Sequence, residues 1–189
     1  VKCVLDQPIG HFAELDRTMR QEYDANPNFF FDGNVGIGDA AIERQHEATE
    51  AADAIVTGSP FASQTVLANG VAPSKVHTIS YGYDERRFPA APQIRVYKGD
   101  RPLEFLFVGS VGARKGLAYL LEAFAKLDSR VARLTLVGPL DMPTDTFAKY
   151  SDHVNYVGQV TRPEVISFYA ESLPQLGWVV QDVGNEGEI

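Results

Sequence analysis

Along the chain, short apolar runs alternate with stretches in which apolar residues recur at helical spacing. Residues 1–5 are a short apolar run that predicts a buried strand. Phe12, Leu15, Met19 and Tyr23 then share one face of a 3.6-residue period, predicting an amphipathic helix over 11–23. Asn26-Pro27-Asn28 stops it. Residues 29–38 read as a loop rich in Phe and Gly, and a second helix over 39–52 starts with Asp39 as its N-cap. DAIVTG at 53–58 predicts another buried strand. Ser59-Pro60 then opens a helix that Gly70 closes, and KVHTIS at 75–80 is the next strand. This alternation is the grammar of a parallel sheet, and so of the α/β class.

The pattern breaks over 89–102, where PAAPQIRVYKGDRP carries prolines at both ends; this predicts a linker between domains. It then restarts. LEFLFV at 103–108 is a strand, GSVGARKG at 109–116 a glycine-rich turn, and 117–127 a helix with Leu120, Leu121, Phe124 and Leu127 on one face. RLTLV at 133–137 ends in Gly138-Pro139. After a polar segment, residues 154–157 form a strand before Gly158, and Thr161-Arg162-Pro163-Glu164 is a capping-box start for a helix to about 170. The domain division expected is therefore 1–88, a linker over 89–102, and 103–189.

Composition narrows the function classes. Of 189 residues, 44% are hydrophobic and 22% charged, which is globular rather than disordered. A net charge of −8 argues against a nucleic-acid partner, which needs a basic surface. Cys3 is the only cysteine, so no internal disulfide forms; with no membrane-length apolar run and no signal peptide, the expected location is the cytoplasm. The chain opens on Val1 directly in a strand, which suggests that it is a piece of a longer protein.

The strongest candidate for chemistry is the loop from Gly109 and Ser110 to Arg114, Lys115 and Gly116. Glycines let backbone approach a ligand, a helix N-terminus attracts phosphate, and Arg114 and Lys115 add full positive charge. The loop is neither a Walker A sequence nor the G-x-G-x-x-G fingerprint. On its residues alone it is equally a tight strand-to-helix turn with a solvated basic pair. The loop 33–38 (GNVGIG) precedes Asp39, whose charge opposes phosphate; it reads as a flexible acceptor-side loop. Gly138 reads as a turn glycine. His11 follows a strand and Pro8-Ile9-Gly10, and a histidine at such a place is commonly an exposed or capping residue. His46, His77 and His153 have no partners at metal-ligand spacing.

From 51 to 171 the ordered set ADAIVTGSPF, KVHTISYGYDERRF, LEFLFVGSVGARKGLAYLLEAFAKL, RLTLVGP and VNYVGQVTRPEVISFYA resembles the family four glycosyltransferases of the GT-B type. The resemblance implies parts of two Rossmann-like parallel-sheet domains, 1–88 on the acceptor side and 103–189 on the nucleotide-sugar side. It implies a hexosyltransferase class of enzyme that moves a sugar, with retention, from a nucleotide-diphosphate sugar. The acceptor is unknown and drawn from polysaccharides, lipids at a membrane surface or small molecules. No cofactor and no metal are implied. In the family the glycine loop holds the donor diphosphate, which assigns that role to Gly109, Ser110, Arg114 and Lys115. Ser110 stands where the family usually has Arg. Gly158, Gln159 and Val160 would meet the nucleotide base through their backbone. His11 corresponds to a first-domain histidine near the reacting sugar. Tyr81-Gly82-Tyr83-Asp84 to Phe88 resembles the crossing between domains.

The tail departs from this pattern. The family continues with an acidic motif and two glutamates eight positions apart, whereas ESLPQLGWVVQDVGNEGEI ends with Glu186 and Glu188 two apart; LGWVVQDV reads as a strand. The chain by itself is therefore expected to be inactive. A non-catalytic module binding a nucleotide or sugar phosphate is the alternative reading, and a two-domain sugar-nucleotide epimerase a third.

Overall fold

A computed structural model describes residues 2–31, 35–82, 86, 100–172 and 176–181. The chain divides into two compact units, Val1–Ala25 with Asp32–Tyr83, and Asn26–Phe31 with Asp84–Ile189. The proposed linker over 89–102 lies almost wholly outside the described residues, as do Tyr83, Asp84, Phe88, Glu186 and Glu188.

The first unit is a three-stranded parallel sheet in the order β1-β2-β3, formed by β1 (Val4–Gln7), β2 (Ala54–Thr57) and β3 (Val76–Thr78). Helices α1 (Phe12–Ala25), α2 (Asp39–Ala51) and α3 (Pro60–Ala68) fill the crossovers. The core is small: Ala52, Ile55 and Val66, with Leu5, Val71 and Val76 against them. The Ser59 side chain accepts from the Ala62 N–H at 3.1 Å with Pro60 at the first helical position, so α3 starts as the sequence predicts.

Three local expectations are corrected. Asp39 is the first helical residue and not the cap; the N-cap is Gly38, with φ of 82°. The apolar stripe of α1 is only half-buried, and the one buried side chain of that helix is Asp16. The described end of the 29–38 loop is held rather than loose. The Asp16 carboxylate accepts from Ile37 N–H at 2.8 Å and from Arg20 Nε at 2.7 Å. Gly36 has φ of 79°, and a Cβ there would lie 2.1 Å from Asp16 Oδ1.

The second unit holds a four-stranded parallel sheet in the order β8-β6-β4-β9. Its strands are β4 (Leu103–Val108), β6 (Ala132–Val137), β8 (Asn155–Gly158) and β9 (Leu176–Gln181). A two-stranded parallel pair, β5 (Val111–Gly112) and β7 (Leu140–Asp141), stands beside it. Both faces of the main sheet are covered, as a near-continuous apolar strand such as LEFLFV requires. On one face Leu106, Val108 and Val137 pack with Val165 of α6 (Arg162–Ser172). On the other, Phe105 meets Phe124 of α4 (Leu117–Phe124) edge-on at 5.2 Å. The Glu164 carboxylate accepts from the Thr161 backbone N–H at 2.7 Å, the returning half of the predicted capping box.

The segment Asn26–Phe31 joins this second unit. Phe29 and Phe30 are buried, and Phe29 lies 5.9 Å from the Tyr150 ring. Thr146, on the short helix α5 (Thr144–Ala148), donates its hydroxyl to the Asn28 carbonyl at 2.7 Å.

Candidate functional site

Three strands of the second unit, β4, β6 and β8, reach their carboxyl ends together, and each ends on or is followed directly by a glycine: Gly109, Gly138 and Gly158. Ligands of open parallel sheets bind at this edge. The backbones are bonded in a row. Gly109 N–H donates to Val137 O at 2.9 Å and Gly138 N–H to Gly158 O at 2.8 Å. The Tyr156 hydroxyl donates to Gly138 O at 3.1 Å. Gly138 is more than the turn glycine expected of it. With φ of 140°, it lies so close to the neighbouring strand end that a Cβ would stand 2.0 Å from Gly109 O.

The loop after β4 is more structured than a plain strand-to-helix turn. Ser110 leads into β5, which pairs with β7 in the register Val111↔Leu140 and Gly112↔Asp141. A 3-10 turn over Ala113–Lys115 follows, then Gly116 in the left-handed region, then α4. Arg114 is exposed and Lys115 half-buried. The Ser110 hydroxyl donates to the Asp141 carboxylate at 3.2 Å. Asp141 has no sequence signal; it sits in a polar segment, and only the β5–β7 pairing brings it to the loop. Gln159 is exposed on the last turn of the same edge, and Val160 is half-buried against the α6 face of the core. Gly109, Ser110, Arg114, Lys115, Gly158, Gln159 and Val160 thus all lie at or follow the carboxyl ends of strands of a single sheet.

His11 belongs to the first unit, and it is buried rather than exposed. Its backbone N–H donates to Thr65 Oγ1 at 2.8 Å. Its Nδ1 accepts from the Ala13 N–H at 3.2 Å, so it does cap the start of α1. Nδ1 as acceptor fixes the neutral ring with its proton on Nε2, and Nε2 is buried without a partner among the described residues. Burial pushes the His11 pKa below its usual value, and the nearby His46 adds to the shift. Close by, the carboxyl ends of the first sheet carry a chain of hydroxyls, Thr57 to Ser63 and Ser63 to Thr78, each at 2.6 Å. Among the described residues no three His, Cys, Asp or Glu side chains gather as metal ligands. Nor, among the described residues, is any helix long and apolar enough to cross a membrane.

The α/β fold, with its three-stranded and four-stranded parallel sheets, is that of the GT-B proteins, as its similarity to solved structures shows. Anabaena HepE, crystallised with UDP-glucose, superposes with a TM-score of 0.54 at 14% identity, over 70% of this chain and 40% of HepE. HepE with UDP and glucose gives 0.53 at 15% identity, over the same shares of the two chains. The lipopolysaccharide outer core galactosyltransferase WaaB, in its apo form, gives 0.51 at 15% identity, over 72% and 39% of the two chains. The chain thus spans about two fifths of the length of these proteins. By sequence, residues 102–173 match the family model of the Glycosyl transferases group 1, a stretch that holds the whole glycine loop and the Gly158–Val160 turn. No curated protein sequence matches the chain significantly.

Proposed function

We propose that the chain is the middle of a retaining glycosyltransferase of the hexosyltransferase class, and that its second unit holds the diphosphate and base of a nucleotide-sugar donor. The match of residues 102–173 to the group 1 glycosyl transferases carries this reading. Gly109 and Ser110 offer backbone and hydroxyl groups at the strand ends, and Arg114 and Lys115 stabilise the departing diphosphate. Gly158, Gln159 and Val160 receive the base. His11, neutral and buried, with an N–H that has no partner among the described residues, is the first-unit residue assigned to the reacting sugar. The donor binding seen in HepE, with UDP-glucose and UDP, supports a uridine nucleotide as the first ligand to try. The acceptor is a saccharide, lipid or small molecule, and the reaction is placed in the cytoplasm.

Calorimetric titration of the chain with UDP, GDP and ADP tests this. A charge-assisted hydrogen bond contributes ~1.5–3 kcal/mol. Lys115→Ala should therefore weaken nucleotide diphosphate binding roughly tenfold to a hundredfold. Equal affinity in both proteins would remove the loop from the site.

A further inference from the structure

We propose that Thr65 and Gln45 are positioning residues that lock His11 as a neutral hydrogen-bond donor through Nε2. The inference rests on the reading of His11 as the first-unit residue that meets the sugar, and it concerns what prepares the ring for that contact. Three successive backbone N–H groups at the start of α1 meet three different acceptors. His11 N–H donates to Thr65 Oγ1 of α3 at 2.8 Å, and Phe12 N–H to Gln45 Oε1 of α2 at 2.6 Å. Ala13 N–H donates to the His11 ring itself, at Nδ1, at 3.2 Å. The first two acceptors come from other helices, and they fix the backbone on which the third bond depends. Both are buried side chains. Thr65 is itself oriented, because its hydroxyl donates to Ala62 O at 2.8 Å and keeps its lone pairs for His11. Ahead of the ring, Gln7 Nε2 donates to Ile9 O at 2.9 Å and holds the turn.

Capping alone does not account for a histidine here. Ser, Asp or Asn would accept from the helix N–H without bringing a second nitrogen that needs a partner. The imidazole instead leaves Nε2–H buried with none among the described residues, and an unmet buried donor lowers stability. What this arrangement provides is a donor of a single tautomer. With Nδ1 engaged by the Ala13 N–H, the ring proton has only Nε2 to occupy. Such a group suits a sugar oxygen, which accepts a hydrogen bond and carries no charge.

The test is long-range proton–nitrogen NMR of the full chain with labelled histidine, free of nucleotide and at neutral pH, where the shifts of the two ring nitrogens report the tautomer. The His11 signals are assigned by their loss in His11→Gln. In the wild type, His11 should show the Nε2–H tautomer alone. Thr65→Val, which keeps the shape and removes the acceptor, should turn it into a mixture of tautomers, and so should Gln45→Leu. Thr65→Ser restores the hydroxyl and should restore the single tautomer. A single tautomer kept in both Thr65→Val and Gln45→Leu would overturn the lock. A mixture in Thr65→Ser as complete as in Thr65→Val would overturn it too, because packing and not the hydroxyl would then set the ring. If Thr65→Val does not fold, Gln45→Leu and Thr65→Ser decide by the same criteria. Because no nucleotide is present, these outcomes leave the donor reading standing, whereas failure of the chain to bind UDP would unseat that reading and leave the tautomer result as it is.

Discussion

At the scale of single residues, the most informative side chains are two buried polar groups that a hydrophobic pattern does not mark. His11 is held neutral by burial, so folding disfavours its proton. A histidine whose folded pKa lies below the ordinary value of 6.5 contributes stability that is fully present above that value and is lost as pH falls below it. Asp16 acts in a lower window. The Arg20 guanidinium, then the Ile37 N–H, hold its carboxyl below the usual 3.8, so its contribution fades only in stronger acid. Between pH 7.5 and 5.5 the acid sensitivity assignable to these two groups therefore belongs to His11. Urea unfolding at both pH values should show wild type losing more stability on acidification than His11→Gln. An identical loss in both proteins would show that the imidazole does not resist protonation in the folded state.

At the scale of elements, chain-local signals were legible and spatial ones were not. Ser59-Pro60 declares the start of α3 because a cap and its N–H groups lie within three residues. LEFLFV declares a two-sided strand because both its faces are apolar. α5 and β7 carry no such signal, since five residues and two residues are too few for any period to show. The 11–23 face was predicted as an apolar stripe, but Asp16 is its deepest side chain because its partners, Arg20 aside, come from the 35–38 loop. The glycine row was half legible. Gly109 stood out in the loop, while Gly138 passed for a turn because the close approach it makes is to a strand end 29 residues away in sequence. Gly138 combines a left-handed φ of 140° with a backbone oxygen 2.0 Å from any added Cβ. Gly138→Ala should therefore destabilise the fold by at least about 2 kcal/mol, the cost of strained backbone plus a displaced neighbour. It should also weaken UDP binding by separating Gly109 from Gly158. Denaturant midpoints and the UDP titration check the two parts separately, and a variant as stable as wild type would deny the close packing of the row.

At the scale of the whole molecule, the compact units do not follow sequence order: the first ends at Tyr83, and one earlier segment lies outside it. The sequence divides at the proline-rich stretch after residue 88, and nothing in its pattern moves an earlier segment across that boundary. Asn26–Phe31 nevertheless belongs to the second unit. Physical reasons for this are visible in the segment itself. Phe29 and Phe30 are two large apolar side chains following a proline-stopped helix, and both are buried, at 5% and 8% exposure. The Thr146 hydroxyl satisfies the Asn28 carbonyl, so the backbone there is anchored as well as the rings. A buried Phe→Ala change costs about 3–5 kcal/mol. That cost should fall on the unit with which Phe29 packs. Trp178, the only tryptophan of the chain, lies on β9 of the second unit, and its fluorescence can report that unit's unfolding. Phe29→Ala should move the Trp178 denaturation midpoint to clearly lower urea, although the substitution lies in the first 30 residues and the reporter near the end of the chain. A Trp178 transition that does not move would place Phe29 energetically with the helices that flank it in sequence, and would return the boundary to where the hydrophobic pattern drew it.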